Sequence, residues 1–218
     1  MELKNALNPA QYEAVTTTDG PLLILAGAGS GKTRVIIHRI AYLIRDKKVA
    51  PYNIMAVTFT NKAAQEMQKR ITAEIGSTGE QVFIRTFHSA AVFILRRYGS
   101  AIGLPSTFSI YDSSDQETVI KEILSEMNID VKKVRPSYIA SKISEIKDKV
   151  ELLEGVDPSS MFPRDLPVNF ASLYEEYHRR LAAHNALDFN DLLIKTVKLF
   201  RDSPDTLALL QHKWRYLM

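Results

Sequence analysis

Eight residues, Ala26-Gly27-Ala28-Gly29-Ser30-Gly31-Lys32-Thr33, constrain this chain more than any other stretch. Glycines at alternate positions let consecutive backbone N–H groups converge on one point, and a helix starting at the lysine would aim its positive end there too. Such a loop holds phosphates, with Lys32 reaching the β and γ phosphates as a point charge and the Thr33 hydroxyl ligating magnesium. The preceding run, Pro21-Leu22-Leu23-Ile24-Leu25, is apolar without alternation, which predicts a strand covered on both faces in a parallel sheet. After the loop, Val35, Ile36, Ile40, Leu43 and Ile44 recur at helical spacing. The expectation is a P-loop protein that binds ATP through residues 26–33.

The same alternation of strand and helix continues. A strand over Ile54 to Phe59 leads to a helix capped by Asn61, with Ala63, Ala64, Met67 and Ile71 inward, and a strand over Val82 to Thr86 precedes a helix from Ser89 to Tyr98. Upstream, Asn8-Pro9 reads as an N-cap with proline in the first turn of a short helix through Gln11, Tyr12 and Val15. Alternation of this kind predicts an α/β fold with a parallel sheet and right-handed crossovers.

From residue 108 onward helical periodicity dominates, apart from a short strand pattern at Phe108 to Tyr111. Asp112 or Ser114 could cap a helix carrying Val119, Ile120, Ile123, Leu124 and Met127. Pro136 opens one carrying Ile139, Ile143 and Ile146, residues 154–168 read as a surface loop, and helices follow over Phe170 to Leu181 and from Asp188. The segment Trp214 to Met218 reads as the beginning of a buried strand, with Trp214 in the core. The predicted organisation is therefore a phosphate-loop subdomain over 1–107, a helical insertion over 108–186 and a return segment over 187–218.

Charge follows that division. The chain carries +3 overall, as +6 over residues 1–107, −4 over 108–186 and +1 over 187–218, so the phosphate-loop part is the one suited to a polyanion. The absence of cysteine excludes disulfides and thiolate chemistry and agrees with a reducing, cytoplasmic setting. No apolar run approaches the length of a membrane span, and no signal-peptide pattern opens the chain.

Several motifs now agree in order. Leu7-Asn8-Pro9-Ala10-Gln11 is similar to a Q motif, Val57-Thr58-Phe59-Thr60-Asn61-Lys62-Ala63-Ala64 to motif Ia, and Thr86-Phe87-His88-Ser89 to motif Ib. With the phosphate loop, they make the chain resemble the UvrD/PcrA/Rep family of superfamily 1A DNA helicases over essentially its whole length. The resemblance implies a RecA-like P-loop NTPase parallel sheet with an inserted, mainly helical subdomain. It also implies ATP and Mg2+ as cofactors, single-stranded DNA and ss/ds junctions as partners, and 3′ to 5′ movement. In the family's pattern Gln11 pairs with adenine, Arg34 stacks on the base, Phe59 stacks on DNA bases, and Thr60, Asn61, Thr86 and His88 contact the strand.

By residue type alone Phe59 and Phe87 would be core residues and His88 a structural histidine. Leu187-Asp188-Phe189-Asn190-Asp191-Leu192-Leu193 matches the family's return segment, yet Asp188 and Asp191 read foremost as a helix cap and a first-turn carboxylate. His38, His178, His184 and His212 lack metal-ligand spacing. The family's Asp-Glu motif would follow residues like these last ones, so the chain is expected to be an N-terminal piece, monomeric and inactive in hydrolysis alone. Three alternatives stand beside a helicase: an AddA/RecB-type helicase–nuclease subunit, a non-catalytic ATP-gated binding protein, and a P-loop kinase. The kinase would need a lid arginine cluster that Arg135, Arg164, Arg179 and Arg180 do not form.

Overall fold

A computed structural model describes residues 6–27, 29–150, 157–163 and 166–218. The elements run α1 (Pro9–Thr16), α2 (Lys32–Arg45), β1 (Ile54–Thr58), α3 (Asn61–Ile75), β2 (Phe83–Thr86), α4 (Phe87–Tyr98), β3 (Ser109–Ile110), α5 (Ser113–Glu126), α6 (Pro136–Val150), α7 (Phe170–Ala183), β4 (Ala186–Leu187), α8 (Phe189–Asp202), α9 (Pro204–Lys213) and β5 (Tyr216–Leu217). The class is α/β with mostly helical content. Two compact units emerge: the chain up to Ala90 together with Ala208–Met218, and Ala91–Leu207.

The first unit is built on a parallel sheet in the order β2-β1-β5. Met55 to Thr58 pair with Phe83 to Thr86 on one edge of β1, and Ile54 and Met55 pair with Tyr216 and Leu217 on the other. Ile54 and Ala56 of β1, Ile37, Ile40 and Leu43 of α2, and Met67 and Ile71 of α3 share one core. Trp214 is buried as expected, its ring centroid 4.7 Å from that of Phe83.

In the second unit α5, α6 and α7 close around Ile120, Leu124, Ile139, Ile143, Leu173 and Tyr177, beside the two-stranded parallel pair β3–β4. Asp112 caps α5 through a reciprocal box with Asp115. Lys147 sits on the same inward face of α6 as Ile143, four residues on, and is fully buried. Its Nζ donates to Asp188 and Asp191 at 2.7 Å each, while Tyr177 Oη donates to Asp188 at 3.0 Å. Burial raises the pKa of both carboxylates. Lys147's charge and the hydrogen bonds that converge on Asp188 bring that group below its ordinary value, and Asp191 stays above its own. Asp188 is also the N-cap of α8, in a box with Asp191.

Several sequence expectations are corrected. No strand forms over Pro21 to Leu25, and Leu23 and Leu25 are 80% and 87% exposed. Both hydrogen-bonding edges of β1 are taken, by β2 and β5, so the run finds no place beside the central strand. The cap of α3 is Thr60, whose hydroxyl accepts from the Ala63 N–H at 3.1 Å, and Asn61 is the first helical residue. The helix expected from Ser89 begins at Phe87, α9 was not foreseen, and residues 158–161 of the expected loop form a 3-10 turn. Ala28 and Arg164 lie outside the described residues. No helix among the described residues is long and apolar enough to cross a membrane.

Candidate functional site

The described part of the glycine loop turns into α2 through two left-handed residues, Gly29 at φ +75° and Gly31 at φ +92°. A side chain is disfavoured in that region of backbone space, and a Cβ on Gly31 would also come within 2.9 Å of Gln11 Nε2. Ser30 closes the turn, its N–H and hydroxyl donating to the Gly27 carbonyl at 3.4 and 2.7 Å. Gly31 is the N-cap of α2 and supplies no side-chain acceptor, which leaves the first N–H groups of the helix without a side-chain cap.

Lys32 folds back over the loop, its Nζ donating to the carbonyls of Ala26 and Gly27 at 2.8 and 2.6 Å. Thr33 is exposed in the same helical turn. An ammonium held by carbonyls at the mouth of a glycine loop is placed to exchange those acceptors for phosphate oxygens, which are stronger partners for a charged donor.

Gln11 stands at the third position of α1, where its Oε1 accepts from the Asn8 N–H at 3.2 Å and its Nε2 donates to the Ser30 carbonyl at 3.1 Å. Asn8 Oδ1 in turn accepts from the Gln11 N–H at 2.9 Å, completing a capping box. A side-chain amide has two lone pairs and two N–H groups. These bonds use one of each, so one acceptor site and one donor site remain beside the loop. Arg34 donates to the Ala6 carbonyl at 2.7 Å and ties α2 to the residues that lead into α1.

The second part of the site follows from strand register. Thr58 pairs with Thr86 at the C-terminal ends of β1 and β2, so the next residues, Phe59 and Phe87, emerge side by side, with ring centroids 5.5 Å apart at 45°. Phe59 is 91% exposed. Asn61 is exposed and His88 half-buried. Thr60 is spent on the α3 cap. Thr86 is buried, and it exchanges hydrogen bonds with Ser89, whose Oγ accepts from the Thr86 N–H at 2.9 Å while the Ser89 N–H donates to Thr86 Oγ1 at 3.1 Å. The sequence-based candidates thus form two groups: Gln11, Ala26, Gly27 and Gly29 to Arg34 around the loop, and Phe59 to Asn61 with Thr86 and His88 at the strand ends, where the structure adds Phe87.

Sequence reasoning passed over Arg39 and Lys147. Both are charged residues on apolar helix faces, and that spacing was the available signal. Arg39 is only 9% exposed and donates to the Ala14 carbonyl at 2.7 Å and to the Thr17 carbonyl.

Residues 7–218 match the family model described as UvrD/REP helicase N-terminal domain. Among curated relatives, the protein named ATP-dependent DNA helicase PcrA of Bacillus subtilis strain 168 is 48% identical over 216 residues, covering 99% of this chain and 29% of its own length. The protein of the same name from Staphylococcus aureus strain Mu50 is 45% identical over 215 residues, with 99% and 29% covered. That of Staphylococcus epidermidis is 46% identical over 211 residues, 97% of this chain and 29% of the relative. The chain thus spans under a third of the length of these relatives.

Proposed function

Because this chain belongs to the UvrD/REP helicase N-terminal domain family, we propose that it is the nucleotide-gripping and strand-gripping part of an ATP-dependent DNA helicase. The observation that carries this reading is the Gln11 amide, latched to the phosphate loop with one donor and one acceptor to spare. Adenine's 6-amino group and N7 need an acceptor and a donor side by side, whereas guanine presents two acceptors there. The loop, α2 and Lys32 would then take the β and γ phosphates, with Arg34 near the base.

Magnesium fits as the nucleotide's partner rather than as the occupant of a protein cage. Thr33 is exposed in the first turn of α2, and no group of three or more His, Asp or Glu among the described residues gathers to hold a metal. The Thr33 hydroxyl would hold the ion beside the bound nucleotide, and the ion would supply positive charge against the phosphates there. Phe59 and Phe87 would receive bases of single-stranded DNA, with Asn61 and His88 near the strand and Thr60 and Thr86 shaping the turns that present them.

In the whole protein, alternating closure of two RecA-like motor domains would convert hydrolysis into 3′ to 5′ movement and unwinding at ss/ds junctions. The names of the relatives favour this helicase reading over the helicase–nuclease alternative. The described residues around the loop supply the phosphate grip and none of them is a carboxylate that could position the attacking water, so the chain alone would hold nucleotide without turning it over. DNA as partner and the absence of cysteine agree with a cytoplasmic setting.

The test is Lys32→Ala in the full-length gene product. Removing the charge that holds the γ phosphate should lower DNA-stimulated ATP hydrolysis by about a hundredfold or more while leaving the melting temperature unchanged. Undiminished turnover would overturn the assignment of the loop.

A further inference from the structure

We propose that Arg39 is a positioning residue for adenine recognition: its guanidinium clamps the C-terminal end of α1 and thereby fixes where Gln11 stands against the phosphate loop. The inference rests on the reading of Gln11 as the residue that faces adenine. Its premises are geometric.

Helix α1 has eight residues, little more than two turns, and a helix that short is not stable by itself in water. Its apolar anchorage is modest, with Leu7, Val15 and Val35 as the buried residues of that cluster and smaller or half-exposed neighbours such as Ala14 and Tyr12 around them. Its last turn has no basic side chain of its own to meet the carbonyl end of the helix dipole. The carbonyls of Tyr12, Glu13, Ala14 and Thr17 are nonetheless met by side chains. Thr16 Oγ1 donates to the Tyr12 carbonyl at 2.9 Å, Thr17 Oγ1 to the Glu13 carbonyl at 2.8 Å, and Arg39 Nη1 donates to those of Ala14 and Thr17.

At the opposite end Arg34 Nη2 donates to the Ala6 carbonyl. Two arginines of α2, the helix that begins at the phosphate loop, therefore hold both ends of the helix that carries Gln11. The Arg39 contacts are the shielded ones, since Arg34 is exposed. A buried guanidinium that bridges two carbonyls is directional and costly to break, because both acceptors lose their partner at once. Without it α1, little more than two turns long, is free to fray from its C-terminal end, and the helix that holds Gln11 Nε2 in its 3.1 Å contact with Ser30 loosens.

The experiment compares dissociation constants for ATP and GTP, by titration calorimetry without DNA, on the full-length gene product and on Gln11→Ala, Arg39→Met and Arg39→Gln. Methionine keeps the buried stem while removing the donors, and glutamine is the fallback should that variant not fold. The preference for ATP over GTP should fall by about tenfold in Gln11→Ala and by a similar factor in the Arg39 variants. The ratio belongs to folded molecules, so partial unfolding lowers the active fraction for both nucleotides and leaves it unchanged. Ile71→Val, a core change in the same unit, should accordingly lower the melting temperature and keep the ratio. If Gln11→Ala loses discrimination while both Arg39 variants keep it, the positioning role is overturned and the reading of Gln11 survives. If Gln11→Ala itself keeps discrimination, both fail.

Discussion

A phenylalanine with 91% of its surface in water is an unusual expense for a folded chain, and Phe59 sits one residue past the end of a central strand. Its neighbour Phe87 occupies the same place on the next strand and is 43% exposed. Two adjacent rings in solvent form a platform for flat ligands, and base stacking on an aromatic contributes about 1–3 kcal/mol whatever the base. In the full-length protein Phe59→Ala should therefore weaken binding to oligo-dT and oligo-dA alike, by roughly fivefold to a hundredfold in fluorescence anisotropy. Since the ring contacts little of the protein, the melting temperature should stay within about a degree or two. Unchanged affinity with a lowered melting temperature would mean that Phe59 is packing after all. Residue type alone points to the core here, whereas the motif around Phe59 and its place just past the C-terminal end of a strand point outward.

At the scale of elements, what was legible is what is local. Helix α1 begins where Asn8 and Gln11 cap each other, α5 where Asp112 and Asp115 do, and α8 where Asp188 and Asp191 do. Each box is a three-residue spacing that any reader of the chain can see. The strand expected over Pro21 to Leu25 failed because a strand requires a partner, and both edges of β1 are taken by β2 and β5, which no local pattern in residues 21–25 records. Lys147 is harder to read for another reason: its place on an apolar helix face is visible, but a lysine is normally solvated, and its two carboxylates come from a different helix start. Lys147 joins α6 to the cap of α8, and its loss would leave two carboxylates buried without a cation. Lys147→Ala should cost about 3–5 kcal/mol in urea unfolding, whereas Glu66→Gln, which breaks the exposed pair with Arg70, should cost under about 1 kcal/mol. Removing one of the two stranded charges as well, with Lys147→Met and Asp191→Asn together, should recover part of the loss. Equal costs for Lys147→Ala and Glu66→Gln would show that water reaches the trio.

At the scale of the whole molecule the decisive quantity is the separation of charge along the chain, +6 over residues 1–107 against −4 over 108–186. The positive stretch contains both groups of the candidate site, so DNA binding should be driven there by two forces that respond differently to salt. Stacking on Phe59 is insensitive to ionic strength, whereas each phosphate neutralised on a single strand steepens the slope of log affinity against log salt by about 0.7. Lys62, exposed in the first turn of α3 three residues from Phe59, is placed to meet a backbone phosphate. Affinity of the full-length protein for oligo-dT, measured between 50 and 200 mM salt, separates the two. Phe59→Ala should shift the whole line downward at constant slope, whereas Lys62→Ala should flatten it by about 0.7, so that its deficit is largest at 50 mM and shrinks as salt rises. A Lys62→Ala line parallel to that of the unaltered protein would remove this lysine from the strand's path, and a Phe59→Ala line of changed slope would mean that the ring orders charged neighbours rather than stacking on bases.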